Sequence, residues 1–193
     1  MALDEITIEI ADVIERLGRL VRSRGYACDL NPAQWEALRY LARCNRFSNN
    51  PSALAAYLGA TKGTVSQTVS SLQRKGLLTK VPRPGQGRSL SLVLTEQGRA
   101  ILEHDPQKHL RSSVESLETD AKPLLEALEG LMLECQVRYR VRSFGKCHSC
   151  RYFIAGAEDG IPHGCGLLGV PVDKADTGLI CTEHAPRDSA GVS

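Results

Sequence analysis

Apolar residues recur at Leu3, Ile6, Ile10, Val13, Leu17 and Leu20. The alternating steps of three and four are the seam of a helix that lies along another helix. Gly25 stops this helix. Pro32, with Asn31 as its cap, opens a second one that carries Trp35, Leu38, Leu41 and Ala42 on one face. Asn50-Pro51 repeats the start signal for a third helix, which holds Leu54, Ala55 and Leu58 and ends at Gly59. Thr61 then caps a fourth helix over about 62–75. Val65, Val69 and Leu72 face inward at i, i+4 and i+7, while Thr64, Gln67, Thr68, Ser71 and Arg74 face largely outward. Gly76 terminates it. Leu78–Val81 and Leu90–Leu94 read as two strands, joined by a basic loop rich in Gly and Pro, Pro82 to Arg88. Thr95 starts a helix reaching about Leu117, with Pro106 as a break. A last long helix is predicted from Pro123 to about Val141. Leu124, Leu128, Leu131 and Cys135 form its stripe, with Leu125, Met132 and Tyr139 beside it.

Two short helices joined at Gly59-Ala60, the second exposing hydroxyls and amides, form a helix-turn-helix pattern. Charge sharpens that reading. Net charge over the 193 residues is only +2, yet from Ala37 to Thr95 there is no Asp or Glu. That segment holds nine basic residues: Arg39, Arg43, Arg46, Lys62, Arg74, Lys75, Lys80, Arg83 and Arg88. The remainder has 15 basic and 22 acidic residues, a net of −7. Such segregation is the electrostatic footprint of a polyanion-binding segment. A narrow polar helix suits the major groove, and its Gln, Ser, Thr, Lys and Arg side chains suit base edges and phosphates. Arg83 or Arg88 on the hairpin could enter a minor groove. The candidate DNA-contacting residues are therefore Lys62, Thr64, Ser66, Gln67, Thr68, Ser71, Arg74, Lys75, Arg83 and Arg88.

Four runs of residues resemble the MarR family of winged helix-turn-helix regulators. They are Pro32-x-x-Trp35-x-x-Leu38-x-Tyr40-Leu41, Leu54-Ala55-x-x-Leu58-Gly59-x-Thr61-x-Gly63-Thr64-Val65-Ser66, Leu72-x-x-Lys75-Gly76-Leu77-Leu78 and Arg88-x-Leu90-x-Leu92-x-Leu94-Thr95-x-x-Gly98. The resemblance covers about residues 3–143. It implies a homodimer built from the first and last helices, which agrees with the two apolar seams. It also implies binding to double-stranded DNA at a palindromic operator, usually as a repressor. By position, the recognition helix is about Lys62–Arg74 and the wing about Thr79–Leu94. Family wings usually carry an Asp-x-Arg element. Here Arg88 matches, but Pro84-Gly85-Gln86-Gly87 precedes it without the Asp.

The cysteines segregate as well. Cys28, Cys44 and Cys135 are scattered at helix or helix-edge positions and are expected to be small buried or half-buried residues. Cys147, Cys150, Cys165 and Cys181 all lie in the last 47 residues. A CxxC places two thiolates on one turn, and two further cysteines complete four ligands. The tail's apolar residues are too few for an independent core, and a segment this small needs a staple. In a reducing compartment a metal is favoured over disulfides. An all-thiolate set suits an iron–sulfur cluster, with 4Fe–4S ahead of 2Fe–2S. The alternative is zinc, either on the four cysteines or on Cys147, Cys150, Cys181 and His184. The run Cys147-x-x-Cys150-x-Tyr152-Phe153, with Gly164-Cys165-Gly166 and Ile180-Cys181, also resembles small high-potential-like iron–sulfur modules.

The expected fold class is thus mainly α (α+β), a winged helix-turn-helix with long N- and C-terminal dimerisation helices and a small Cys-rich metal- or cluster-binding tail. The expected division is residues 1–143 (helix-turn-helix about 51–75, wing about 77–95), 144–185 for the Cys-rich module, and a flexible 186–193. The expected function is a homodimeric transcriptional repressor whose operator affinity follows a Cys-ligated cluster that senses redox state, oxygen, NO or iron. The signal is expected to pass from the last dimer helix, running directly into Cys147, to the spacing of the recognition helices. Two alternatives are a regulator with a structural zinc and a small-molecule effector, and an iron–sulfur electron-transfer module. No apolar run approaches the roughly 18 residues of a membrane span. The start MALDEITIEI has acids where a secretory signal has bases, so a cytoplasmic location is expected. No Ser-His-Asp set, Walker loop or carboxylate pair marks an enzyme.

Overall fold

Side chains that catch orphaned backbone N–H groups fix where the helices begin. In the computed structural model, which describes residues 3–83, 89–117, 120–156 and 163–187, Asn31 Oδ1 accepts from the Gln34 N–H at 2.9 Å. Gln34 Oε1 in turn accepts from the Asn31 N–H at 3.0 Å. This capping box closes the first turn of α2 (Pro32–Arg43). Asn50 caps α3 (Pro51–Leu58) through Ala53, and Thr61 caps α4 (Lys62–Arg74) through Thr64. Each cap is worth about 1 kcal/mol. Gly59 ends α3 at φ 59°, in the left-handed region glycine occupies without strain.

Between these helices lies the core. Trp35, Leu38 and Tyr40 of α2, Leu54 of α3, and Val65, Val69 and Leu72 of α4 are buried together. Leu78, Leu92 and Leu94 join them from β1 (Leu78–Pro82) and β2 (Leu90–Leu94). The strands pair antiparallel from Leu78↔Leu94 to Pro82↔Leu90. The Leu92 N–H donates to the Asn49 carbonyl at 2.7 Å, so the α2–α3 loop lies along the wing. Helix pair, strands and loop make a winged helix-turn-helix.

Before α2, helix α1 (Leu3–Ser23) runs along the surface. After the wing come α5 (Glu96–Ala100), a 3-10 turn (Ile101–His104), α6 (Lys108–Glu115) and α7 (Ala121–Arg138). The chain breaks around Pro106 as predicted. There Asp105 accepts from Arg39 at 2.9 Å and from the Gln107 N–H at 2.8 Å. Neither α1 nor α7 buries a single described residue. Val13 is 57% exposed on one seam and Met132 60% on the other.

Two expectations need correction. The last helix stops at Arg138, not Val141, because Arg140 turns left-handed at φ 53°. The Val141 N–H then returns to the Gln136 carbonyl and that of Arg140 to Val137, a Schellman closure. Residues 139–146 therefore separate α7 from the CxxC, and the helix does not run into Cys147. Cys28 is exposed. With Asp29 it forms a two-residue turn between Ala27 and Leu30, both at positive φ, and that tight hairpin points it into solvent.

Beyond the link, a sheet of order β3-β4-β5 (Phe153–Ile154, His163–Cys165, Val170–Val172) leads into the short α8 (Lys174–Thr177). This tail is seated on the α2–α3 loop. Asn45 N–H donates to Ile180 C=O at 2.9 Å, Ile180 N–H to Arg43 C=O at 2.8 Å, and Thr182 N–H to Ser48 Oγ at 2.8 Å. Ile180 also packs against the main core.

Gly98 sits where a Cβ would lie 1.9 Å from the Leu77 carbonyl oxygen. The obstacle is backbone, so relief requires α5 to shift off β1. Gly98→Ala is expected to cost about 3 kcal/mol, near the upper end for overpacking, and so to lower the thermal midpoint by roughly 6–12 °C. An unchanged melting curve would contradict this close contact.

Candidate functional site

On α4, polar and basic side chains whose apolar neighbours point inward are left facing out. Val65, Val69 and Leu72 are buried, and the helical period then exposes Lys62, Thr64, Ser66, Gln67 and Arg74. Thr68 is half-buried, and its hydroxyl donates back to the Thr64 carbonyl at 3.1 Å. The predicted polar face is thus present, and two of the expected contact residues at its end, Ser71 and Lys75, also bond within the protein. Ser71 is half-buried and accepts from Gln34 Nε2 of α2 at 2.9 Å. Lys75 Nζ binds the Asp29 carboxylate and donates to the Asp29 carbonyl at 2.8 Å. That ammonium holds the Asp29 carboxyl below the usual carboxylate range.

Arg83 is also engaged within the protein. Its Nε donates to Ser91 Oγ at 2.9 Å, and its Nη2 to the Arg46 carbonyl at 3.2 Å and to Asn49 Oδ1. The guanidinium ties the loop end of the wing's β1 to the α2–α3 loop. This tie supports a wing that lacks the Asp-x-Arg element. Arg88 lies outside the described residues.

Arg46 plays the matching part toward the tail. Its Nη1 binds Asp173 and, at 2.7 Å, Asp176, while Nη2 donates to the Pro171 carbonyl at 2.7 Å. Asp176 is buried and so depends on this partner. No short-range pattern marks the contact, because the paired residues lie some 125–130 positions apart in the chain. The one available signal was the acid-free reader set against acids in the tail.

The four tail cysteines are brought into one neighbourhood by backbone pairing. A 3-10 turn links Cys147 to Cys150, with N–H to C=O at 2.9 Å. Cys165 is paired with Phe153 in the sheet, and Cys181 N–H donates to Gly145 C=O. Burial, and then the charges of Cys181, Cys150, Cys165 and Asp176, push the Cys147 thiol up to about 11. Among the described residues, no three His, Cys, Asp or Glu side chains lie close enough to share one ion. His184, the zinc alternative's fourth ligand, has both ring nitrogens in use. Nδ1 shares a hydrogen bond with Ser143 Oγ at 3.2 Å and Nε2 with Ser149 Oγ at 3.0 Å. The ring clamps the link to the CxxC turn, and Gly145 leaves room for it: a Cβ there would lie 2.6 Å from Nε2.

Residues 29–89 match the sequence model of the MarR family. The chain carries a MarR family domain. Solved structures extend the likeness in fold. The transcriptional regulator BldR from Sulfolobus solfataricus is 19% identical, with a TM-score of 0.56 over 69% of this chain and 99% of that one. A MarR family protein from Bacillus stearothermophilus is 19% identical, with a TM-score of 0.53 over 70% of this chain and 99% of that one. FabT from Streptococcus pneumoniae, solved in complex with DNA, is 19% identical, with a TM-score of 0.53 over 72% of this chain and 99% of that one. No curated protein sequence matches the chain. No helix among the described residues is long and apolar enough to cross a membrane.

Within the MarR domain, Arg83 is a structural tie, and its removal strands Asn49 and Ser91. Arg83→Ala is expected to cost about 2 kcal/mol, from the range for hydrogen bonds to charged groups, which is a fall of roughly 4–8 °C in thermal midpoint. Lys80→Ala, three residues earlier on β1, should change it little. Equal melting of both variants would remove the tie.

Proposed function

We propose that this chain is a homodimeric DNA-binding transcriptional regulator, a repressor at a palindromic operator, whose affinity is set by an iron–sulfur cluster on Cys147, Cys150, Cys165 and Cys181. The observation that carries the reading is the convergence of four cysteines, from three separate stretches of chain, in a tail seated on the loop that also anchors the wing.

DNA binding is supported by the MarR domain, by the DNA complex of FabT, and by the exposed polar face of α4. Lys62 and Arg74 bracket that face and serve phosphates, while Thr64, Ser66 and Gln67 serve base edges. Dimerisation is supported by the seams of α1 and α7, where none of the described residues is buried within one chain.

A cluster is favoured over zinc by the all-thiolate donor set of four cysteines. Bound there, the cluster supplies a redox-active centre and cancels the mutual repulsion of four thiolates. The chain supplies the rest. His184 holds the CxxC turn to the link through Ser143 and Ser149. Among the described tail residues the buried apolar ones are only Cys150 and Val172, too little to hold the tail together unaided.

Coupling then runs through the α2–α3 loop. Arg46 grips Asp173 and Asp176 on one side, and its carbonyl takes Arg83 of the wing on the other. A tail that loosens releases the loop, and the wing loosens with it.

Protein purified without oxygen should be brown and carry about four irons and four sulfides per chain. It should bind its operator with an affinity that changes on removal of the iron. Cys181→Ser should abolish the iron and fix the affinity at the apo value. A colourless protein with one zinc per chain, or equal binding by both forms at fixed salt, would overturn the sensing role.

A further inference from the structure

The chain has a second acid-free basic stretch. From Cys135 to Ala157 there is no Asp or Glu, and the stretch holds Arg138, Arg140, Arg142, Lys146 and Arg151. Its middle, residues 139–146, is the link between α7 and the CxxC turn, outside the winged helix. Arg138, Arg140, Arg142 and Lys146 are all exposed.

The fold places this link beside the start of the recognition helix. A cleft of about 590 Å³ is lined on one side by Asn50 and Ser52 at the start of α3, by Gly59 and Ala60 in the turn, and by Lys62 at the first position of α4. Val141 and Arg142 line it on the other side. Arg142 and Lys62 therefore flank one opening at the end of α4 that enters a groove in helix-turn-helix proteins. One acid intrudes: Glu183 lines the same cleft and stands 3.9 Å from Arg142. Both groups are substantially solvated, so a phosphate can compete for the guanidinium.

Backbone conformation adds an independent observation. Arg140 occupies φ 53° at the C-terminal closure of α7. Glycine takes that conformation freely, whereas a side chain resists it. A cation stands where the turn alone would select glycine, and strained positions of this kind cluster at binding sites.

We propose that Arg140, Arg142 and Lys146 form a second phosphate-gripping edge beside α4, so that each protomer's contact with duplex DNA continues past the winged helix onto the link. The proposal rests on the reading of α4 as the DNA-contacting helix.

The test uses the full chain and its binding to a mixed-sequence duplex across 50–200 mM salt. Each lost phosphate contact lowers the slope of log K against log salt by about 0.9. Arg140→Ala/Arg142→Ala/Lys146→Ala should therefore lower it by about 2–3 per protomer. Arg140→Gly is the companion variant that cannot fail by misfolding: it relaxes the turn, so thermal stability should hold while the slope falls by about 0.9. Lys62→Ala/Arg74→Ala separates the two readings. If that variant lowers the slope and the link variants do not, α4 stands and the link proposal falls. If wild type does not bind the duplex, or Lys62→Ala/Arg74→Ala leaves the slope untouched, the reading of α4 falls and takes the link with it. Link variants that keep the full slope on DNA but lose binding to polyglutamate assign the strip to an acidic protein and likewise overturn the proposal.

Discussion

The α2–α3 loop must find hydrogen bonds for polar groups that lie inside the protein, and the arrangement of the whole chain follows from how it does so. Asn45 and Ser48 are 1% and 0% exposed. Asn45 Oδ1 accepts from the Ser48 hydroxyl at 2.7 Å, and the Ser48 carbonyl accepts from Tyr40 at 2.9 Å. The tail answers the remaining demands through Ile180 and Thr182, and the wing through Leu92 and Arg83. Each buried group left unpaired would cost about 1–3 kcal/mol. Tail and wing are thus both partners of one loop, and neither can move far without stranding part of it.

That loop also changes what the basic segment means. Nine cations without an acid in sequence suggested a surface given over to DNA. In the fold, Arg39 serves Asp105, Arg46 serves Asp173 and Asp176, Lys75 serves Asp29, and Arg83 serves Ser91 and Asn49. The acids absent from the segment arrive from outside it, two of the four from the tail. Of the segment's other described cations, Lys62 and Arg74 of α4 are exposed, as is Arg43. Arg142 of the link lines the same cleft as Lys62.

The elements that sequence revealed best are those set by local rules. Asn31, Asn50 and Thr61 are caps, Gly59 is a left-handed stop and Pro106 is a break, all readable within four residues. The inward face of α4 followed from its period, and burial of Val65, Val69 and Leu72 agrees. The internal contacts of Ser71, Lys75 and Arg83 carry no local signal, because their partners come from other elements: Gln34, Asp29 and Asn49. The end of α7 was misread because a Schellman closure with arginine in place of glycine carries no sequence signal. The four tail cysteines were legible from CxxC and composition. Their seat on the reader was not, since it depends on backbone pairing such as Cys44↔Ile180.

The central claim is that the state of the tail reaches the wing through this loop. Amide hydrogen exchange, compared between the iron-loaded and iron-free full chain, tests it most directly. The account predicts that removing iron speeds exchange at Asn45, Ser48 and Leu92 as well as within the tail, while amides in the middle of α4 keep their protection. A change confined to residues 147–187, with the loop and wing exchanging alike in both forms, would contradict it.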